Sequence, residues 1–127
     1  MKLFSIKPVY AHCDLPCGVY DPAQARIEAL SVKAIMEKYD QLDDYNKVRA
    51  VIIKEQRAEM VKNHLMVLWA DYFKPVHIEK YPNLHDLFWQ TIKQASACKS
   101  HNDISLATKL IDQIDEISKI FQETKQA

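Results

Sequence analysis

Residues 107–121 read A-T-K-L-I-D-Q-I-D-E-I-S-K-I-F. Ala107, Leu110, Ile111, Ile114, Ile117 and Phe121 recur at spacings of three and four. That period lines one face of a helix and misses the alternation of a strand. The lysines near the end suit the negative end of the helix dipole. Upstream, residues 100–103 form a polar break. Before it Leu84, Leu87, Phe88, Thr91, Ile92 and Ala95 share a second apolar face, entered after Pro82. Residues 74–82 read as a connector with prolines at both ends. From about Tyr45 to Phe73, Val48, Val51, Ile52, Glu55, Ala58, Met60, Leu65, Leu68, Trp69 and Tyr72 recur mostly at three and four, until Pro75 stops the helix. At about 1.5 Å per residue that helix is on the order of 40 Å long, a length suited to a bundle. The first helix opens at Asp21-Pro22, a capping residue followed by proline at the first helical position, with Gln24 placed as a capping-box partner. Its expected apolar face is Ile27, Leu30 and Ala34 with the row Val32, Ile35 and Tyr39.

Four helices, near 22–40, 45–73, 83–99 and 103–123, joined by short loops, predict an all-α, antiparallel up-down four-helix bundle. Composition agrees. Gly18 is the one glycine in 127 residues, too few for a protein built on tight hairpins. Seventeen basic residues balance seventeen acidic ones, which argues against a nucleic-acid binder. No stretch approaches the roughly 20 apolar residues that span a bilayer. The apolar run in residues 1–11 is too short for a secretory signal, although Val9 and Ala11 suit a signal-peptidase site. It reads as a cytoplasmic leader or tail.

One segment stands outside the helical pattern. Residues 12–20 read H-C-D-L-P-C-G-V-Y. Pro16 and Gly18 shape a compact turn that could bring the Cys13 and Cys17 sulfurs to one metal, and His12 adds an imidazole to two soft thiolates. A redox-active or disulfide pair accounts for the same C-x-x-x-C spacing. The residues alone therefore leave three readings open: a metalloenzyme, a thiol-redox or metal-delivery helical module, and a helical interaction protein. Three cysteines make no disulfide framework. Cys98 reads as a small buried hydrophobe. His64, His77, His85 and His101 show no ligand spacing.

The run from His12 to Ala29, H-C-D-L-P-C-G-V-Y-D-P-A-Q-A-R-I-E-A, resembles the nickel-hook signature of the nickel superoxide dismutase family. The resemblance continues at I-K-E-Q-R-A-E (53–59), V-L-W (67–69), D-Y-F-K-P (71–75) and E-K-Y-P (79–82), with a weaker echo at I-F-Q-E-T-K. Residues 41–47 and 99–105 match poorly. The resemblance implies an antioxidant oxidoreductase holding one nickel ion per subunit, with His12, Cys13 and Cys17 as metal ligands. His12 would give its amine and imidazole, Cys13 its thiolate and backbone amide, and Cys17 the second thiolate. Two nitrogens and two thiolates in a plane suit Ni(II), and an axial imidazole suits Ni(III). The reaction implied is the disproportionation of superoxide to oxygen and hydrogen peroxide by Ni(II)/Ni(III) cycling.

The same resemblance assigns Glu28 and Arg57 to orienting the imidazole, and Tyr20 and Tyr72 to the open face, where they could hold water or peroxide and guide protons. Lys74 would attract the superoxide anion by its charge, and Asp14 and Pro16 would shape the hook. It also implies a leader at 1–11, removed by a processing protease, ahead of a domain at 12–127 with hook 12–20 and bundle 21–124. The amine donor explains the processing, because with Ala11 attached His12 offers an amide instead. A homohexamer in the cytoplasm is implied as well. Taken without the resemblance, Glu28 reads as a solvated helix residue, Arg57 as a surface or interhelical ion pair, and Tyr20, Tyr72, Trp69 and Phe73 as packing residues.

Overall fold

The computed structural model describes residues 19–126. Five helices follow in order: α1 Ala23–Lys38, α2 Asp44–Val67, α3 Pro75–Lys80, α4 Leu84–Ser100 and α5 Ile104–Lys125. Helices α1, α2, α4 and α5 form the four-helix bundle, in which α1 packs on α2 and α5, and α4 packs on α2 and α5. Short connections make successive long helices antiparallel, as the sequence predicts. No strand occurs among the described residues.

Three of the long helices start beside an aspartate acceptor. The Asp21 carboxylate accepts the Ala23 N–H at 2.8 Å ahead of α1. Asp43 accepts the Asn46 N–H at 2.9 Å at the start of α2, and Asp103 accepts the Ser105 N–H at 2.8 Å at the start of α5. These acceptors satisfy N–H groups that lack partners inside the helix. Between α2 and α3 the chain makes a π-helical turn, Leu68–Tyr72. Phe73 and Lys74 are extended, as a residue before proline must be. Pro75 does stop the α2 run, but it also opens α3 at a position where proline suits a helix. The expected connector at 74–82 is therefore corrected: most of it is helical.

The core confirms the α5 face completely, since all six of its predicted residues are buried. It also confirms Leu84, Phe88, Thr91 and Ala95 on α4, and Cys98 as a buried thiol. On α1 the predicted face holds at Val32 and is otherwise rotated. Ile27 and Leu30 are exposed, while Ala25, Glu28, Ala29, Val32 and Met36 are buried. On α2, Val48, Val51, Ile52 and Met60 are exposed, and Ala50, Lys54, Ala58, Val61 and Leu65 are buried. Small alanines at these positions let α1 and α2 approach closely, and they carry too little hydropathy to mark the face by period.

Candidate metal centre and its supporting residues

His12, Cys13 and Cys17, the expected ligands, lie outside the described residues, as do Asp14, Pro16 and the 1–11 segment. The chain re-enters the described structure at Val19 and leads through Tyr20 into α1. Tyr20 is half-buried and packs against the bundle core, so the last residue of the expected hook is tied to the helices.

One turn and a half into α1, Glu28 is 8% exposed. Its carboxylate meets Arg57 of α2, whose Nη1 donates to Oε2 at 3.0 Å and to Oε1 at 3.3 Å. The guanidinium side of the pair is more open, at 43% side-chain exposure. A carboxylate sunk this far needs a partner for its oxygens. Arg57 is that partner and reaches α1 from the neighbouring helix. The reading of Glu28 as a solvated residue is thus overturned, and the structure brings Glu28 and Arg57 together as a pair.

Tyr72 closes the π turn. Its ring lies 4.5 Å from that of Phe121 and meets Phe73 edge-on at 5.0 Å. His77 stacks on it as well, with centroids 5.8 Å apart and planes 16° from parallel. The Tyr72 hydroxyl is 2.8 Å from the Thr124 hydroxyl on α5. Lys74 follows two residues later, exposed, and its backbone N–H donates to His77 Nδ1 at 3.0 Å. Burial, with Lys74 and Lys80 nearby, holds the His77 pKa below the ordinary histidine range, so the ring is a neutral acceptor there at physiological pH. Thr124 and His77 carry no motif signal of their own; only the structure shows what they touch.

The described residues thus offer two polar clusters. Arg57 and Tyr72 are separated by about four turns along α2 and its π-helical extension, so the ion pair and the phenol sit at different heights on the bundle. No group of three His, Cys, Asp or Glu side chains gathers among the described residues.

The residues present fit nickel. The donor set expected at His12, Cys13 and Cys17 combines nitrogen with thiolate sulfur, which suits a late first-row metal. Arg57 occupies two of the about four lone-pair sites of the Glu28 carboxylate. The others can accept an imidazole N–H, the usual partner of a metal-bound histidine.

Comparison with known proteins agrees with this reading. The sequence model of nickel-containing superoxide dismutases matches residues 7–125. The superoxide dismutase [Ni] of Streptomyces seoulensis is 59% identical over 99% of this chain and 98% of its own length. That of Streptomyces coelicolor matches to the same extent. Among solved structures, a native nickel superoxide dismutase superposes with a TM-score of 0.88 at 59% identity, covering 91% of this chain and all of its own. A nickel-containing superoxide dismutase with nickel ligation corresponding to the oxidised state gives 0.86 at 60% identity and the same coverage. With its fold and its sequence matched along nearly their whole length, the chain belongs to the nickel-containing superoxide dismutase family.

Proposed function

We propose that this nickel-dependent superoxide dismutase works through a hook formed by His12, Cys13 and Cys17, with Glu28 and Arg57 holding the His12 imidazole. The net reaction turns two superoxide ions and two protons into one oxygen and one hydrogen peroxide. Nickel held there, one ion per subunit, would supply the one-electron couple that the two halves of this reaction need. The observation that carries the assignment of roles is the buried Glu28 carboxylate paired with Arg57. It is an anchored acceptor on the first helix after the hook, with spare lone pairs.

The metal would be held by the His12 amine and imidazole, the Cys13 thiolate and backbone amide, and the Cys17 thiolate. Glu28 accepts the imidazole's second N–H and so fixes its tautomer and direction. Arg57 holds the carboxylate in place through its hydrogen bonds. Lys74, exposed at the entrance to α3, draws the anionic substrate. Tyr20 and Tyr72 line the approach and bind water or product.

The proposal includes maturation. Residues 1–11 are a leader removed by a processing protease, so that His12 becomes an amine terminus. The pattern of coverage supports this. The curated relatives match 99% of the chain, while solved structures matched along their whole length cover 91% of it. The uncovered share is about the size of the segment ahead of His12. The mature protein assembles as a homohexamer in the cytoplasm. Ile27, Val48 and Ile52, exposed by 60%, 63% and 53% on α1 and α2, supply apolar surface that a subunit contact would cover. No described helix is long and apolar enough to cross a membrane.

The test is intact mass with metal content and turnover, measured before and after cleavage ahead of His12. The uncleaved chain should show negligible turnover after nickel addition, and cleavage alone should restore it. Full turnover in a chain of verified uncleaved mass would remove the amine ligand from the proposal.

A further inference from the structure

The Tyr72–Thr124 contact has a direction that follows from counting protons. A threonine hydroxyl carries one proton and two acceptor lone pairs. Thr124 Oγ1 lies 2.6 Å from the Phe121 carbonyl oxygen one turn earlier in α5. A carbonyl has no proton, so the proton between these two oxygens belongs to Thr124. The same Oγ1 lies 2.8 Å from the Tyr72 hydroxyl. With its own proton already committed, Thr124 can only accept there, and Tyr72 must donate. The phenol's one proton is therefore spent inside the protein, and its oxygen keeps only acceptor capacity. The ring has little freedom to change this, being held by Phe73, Phe121 and the stacked His77.

We infer that Thr124 is a positioning residue, acting through Tyr72: it fixes that phenol as a hydrogen-bond acceptor, which admits a donor such as water or hydrogen peroxide and offers nothing to the superoxide anion. The inference rests on the proposed place of Tyr72 beside the reaction. A superoxide ion is an acceptor, and two acceptors facing each other repel. Hydrogen peroxide and water can each donate to the phenol oxygen. Tyr72 then distinguishes product and solvent from substrate by polarity alone, and the protons consumed in turnover do not come from its hydroxyl while Thr124 holds it. The backbone of α5 sets this polarity, because the Phe121 carbonyl claims the Thr124 proton.

The phenolic C–O stretch reports the direction, since it lies higher when a tyrosine hydroxyl donates than when it only accepts. The Tyr72 band is assigned among the six tyrosines by difference from Tyr72→Phe, in metal-free protein. The band should lie at the donor position in the unaltered chain and in Thr124→Ser, and should fall in Thr124→Val. In the cleaved, nickel-loaded protein, Thr124→Val should lower turnover as far as Tyr72→Phe does, with Thr124→Ser close to the unaltered level. An acceptor band in the unaltered chain, which needs no variant to fold, overturns the hydrogen-bond direction. A band that moves as expected while Thr124→Val and Tyr72→Phe both keep full turnover overturns the positioning role. It would also remove Tyr72 from the reaction without touching the ligand assignment.

Discussion

Lys54, in the middle of α2, is 3% exposed and donates through Nζ to the His101 carbonyl at 2.6 Å. The bond ties α2 to the turn between α4 and α5. Burial pushes the pKa of this ammonium below the usual lysine range, so keeping the charge inside costs free energy. The four-carbon stem packs where an apolar residue would otherwise stand. The two contributions can be separated.

Lys54→Ala removes both stem and head and opens a cavity, and should lower stability by about 2–4 kcal/mol. Lys54→Met keeps the volume and discards the buried charge, and should cost no more than about 1.5 kcal/mol. Urea midpoints on all three proteins give the comparison. Equal losses for Met and Ala would mean that the bond to His101, rather than the stem, holds this end of the bundle.

Arg57→Met leaves the Glu28 carboxylate buried without its cation. The open guanidinium side moderates the loss, so the expected cost is about 1–3 kcal/mol. Nickel affinity or turnover should fall by about 10–100-fold, the usual effect of losing a partner that orients a metal ligand. Adding Glu28→Gln to Arg57→Met should recover most of the stability, because no buried charge remains, and none of the turnover. If the double variant regained turnover, the carboxylate would have no part in holding the imidazole.

These two pairs mark where the sequence could and could not be read. The α5 face is legible because its apolar residues are large and its outward positions polar, so one period dominates. On α1 and α2 the signal is mixed. Ile27, Leu30, Val48 and Ile52 face outward, while Glu28 and Lys54 face inward beside alanines. Hydropathy therefore places Val32, Ala58, Leu65 and Leu68 correctly and much of the rest of the stripe on the wrong side. Pro75 reads as a terminator from the α2 side, and its second role as the first residue of α3 carries no separate signal. Of the site, H-C-x-x-x-C announces soft metal donors, and the resemblance supplies Glu28 and Arg57. Thr124 is invisible, because a threonine in the last turn of a helix looks like ordinary polar surface.

The Cys98 thiol is fully buried, and desolvation pushes it up to about 11 from its ordinary 9.0. Between those values the unfolded chain has lost this proton and the folded chain retains it. The folded state then binds more protons, so stability falls as pH rises through that window. Lys54 acts in the opposite sense there, since its folded pKa is the lower one. Cys98→Ala isolates the thiol: its stability should fall less steeply than that of the unaltered chain between about pH 9 and 11. Denaturant titrations at intervals across that range measure the difference. Identical slopes would show that the thiol ionises as easily folded as unfolded. At neutral pH the same burial should leave Cys98 unalkylated in the folded protein.

Cys13→Ser and Cys17→Ser address the hook directly. The bundle core is built from α1, α2, α4 and α5 with residues such as Val32, Leu65, Phe88 and Ile114, and the hook sulfurs are expected to serve the metal instead. Either substitution should therefore leave helicity and the thermal midpoint nearly unchanged in metal-free protein. Each removes a soft thiolate and substitutes a hydroxyl that stays protonated at neutral pH and binds nickel weakly. Nickel content after equilibration, and turnover of the cleaved protein, should both fall to background. Cys98→Ala provides the contrast, because it should retain nickel and turnover while losing about 1 kcal/mol of stability from the core. Circular dichroism, metal analysis and a superoxide-decay assay on the three variants separate the two kinds of cysteine. Near-normal turnover with bound nickel in either serine variant would show that its sulfur is not a ligand. The second thiolate would then have to be sought elsewhere in the chain, where Cys98, buried on α4, is the remaining cysteine.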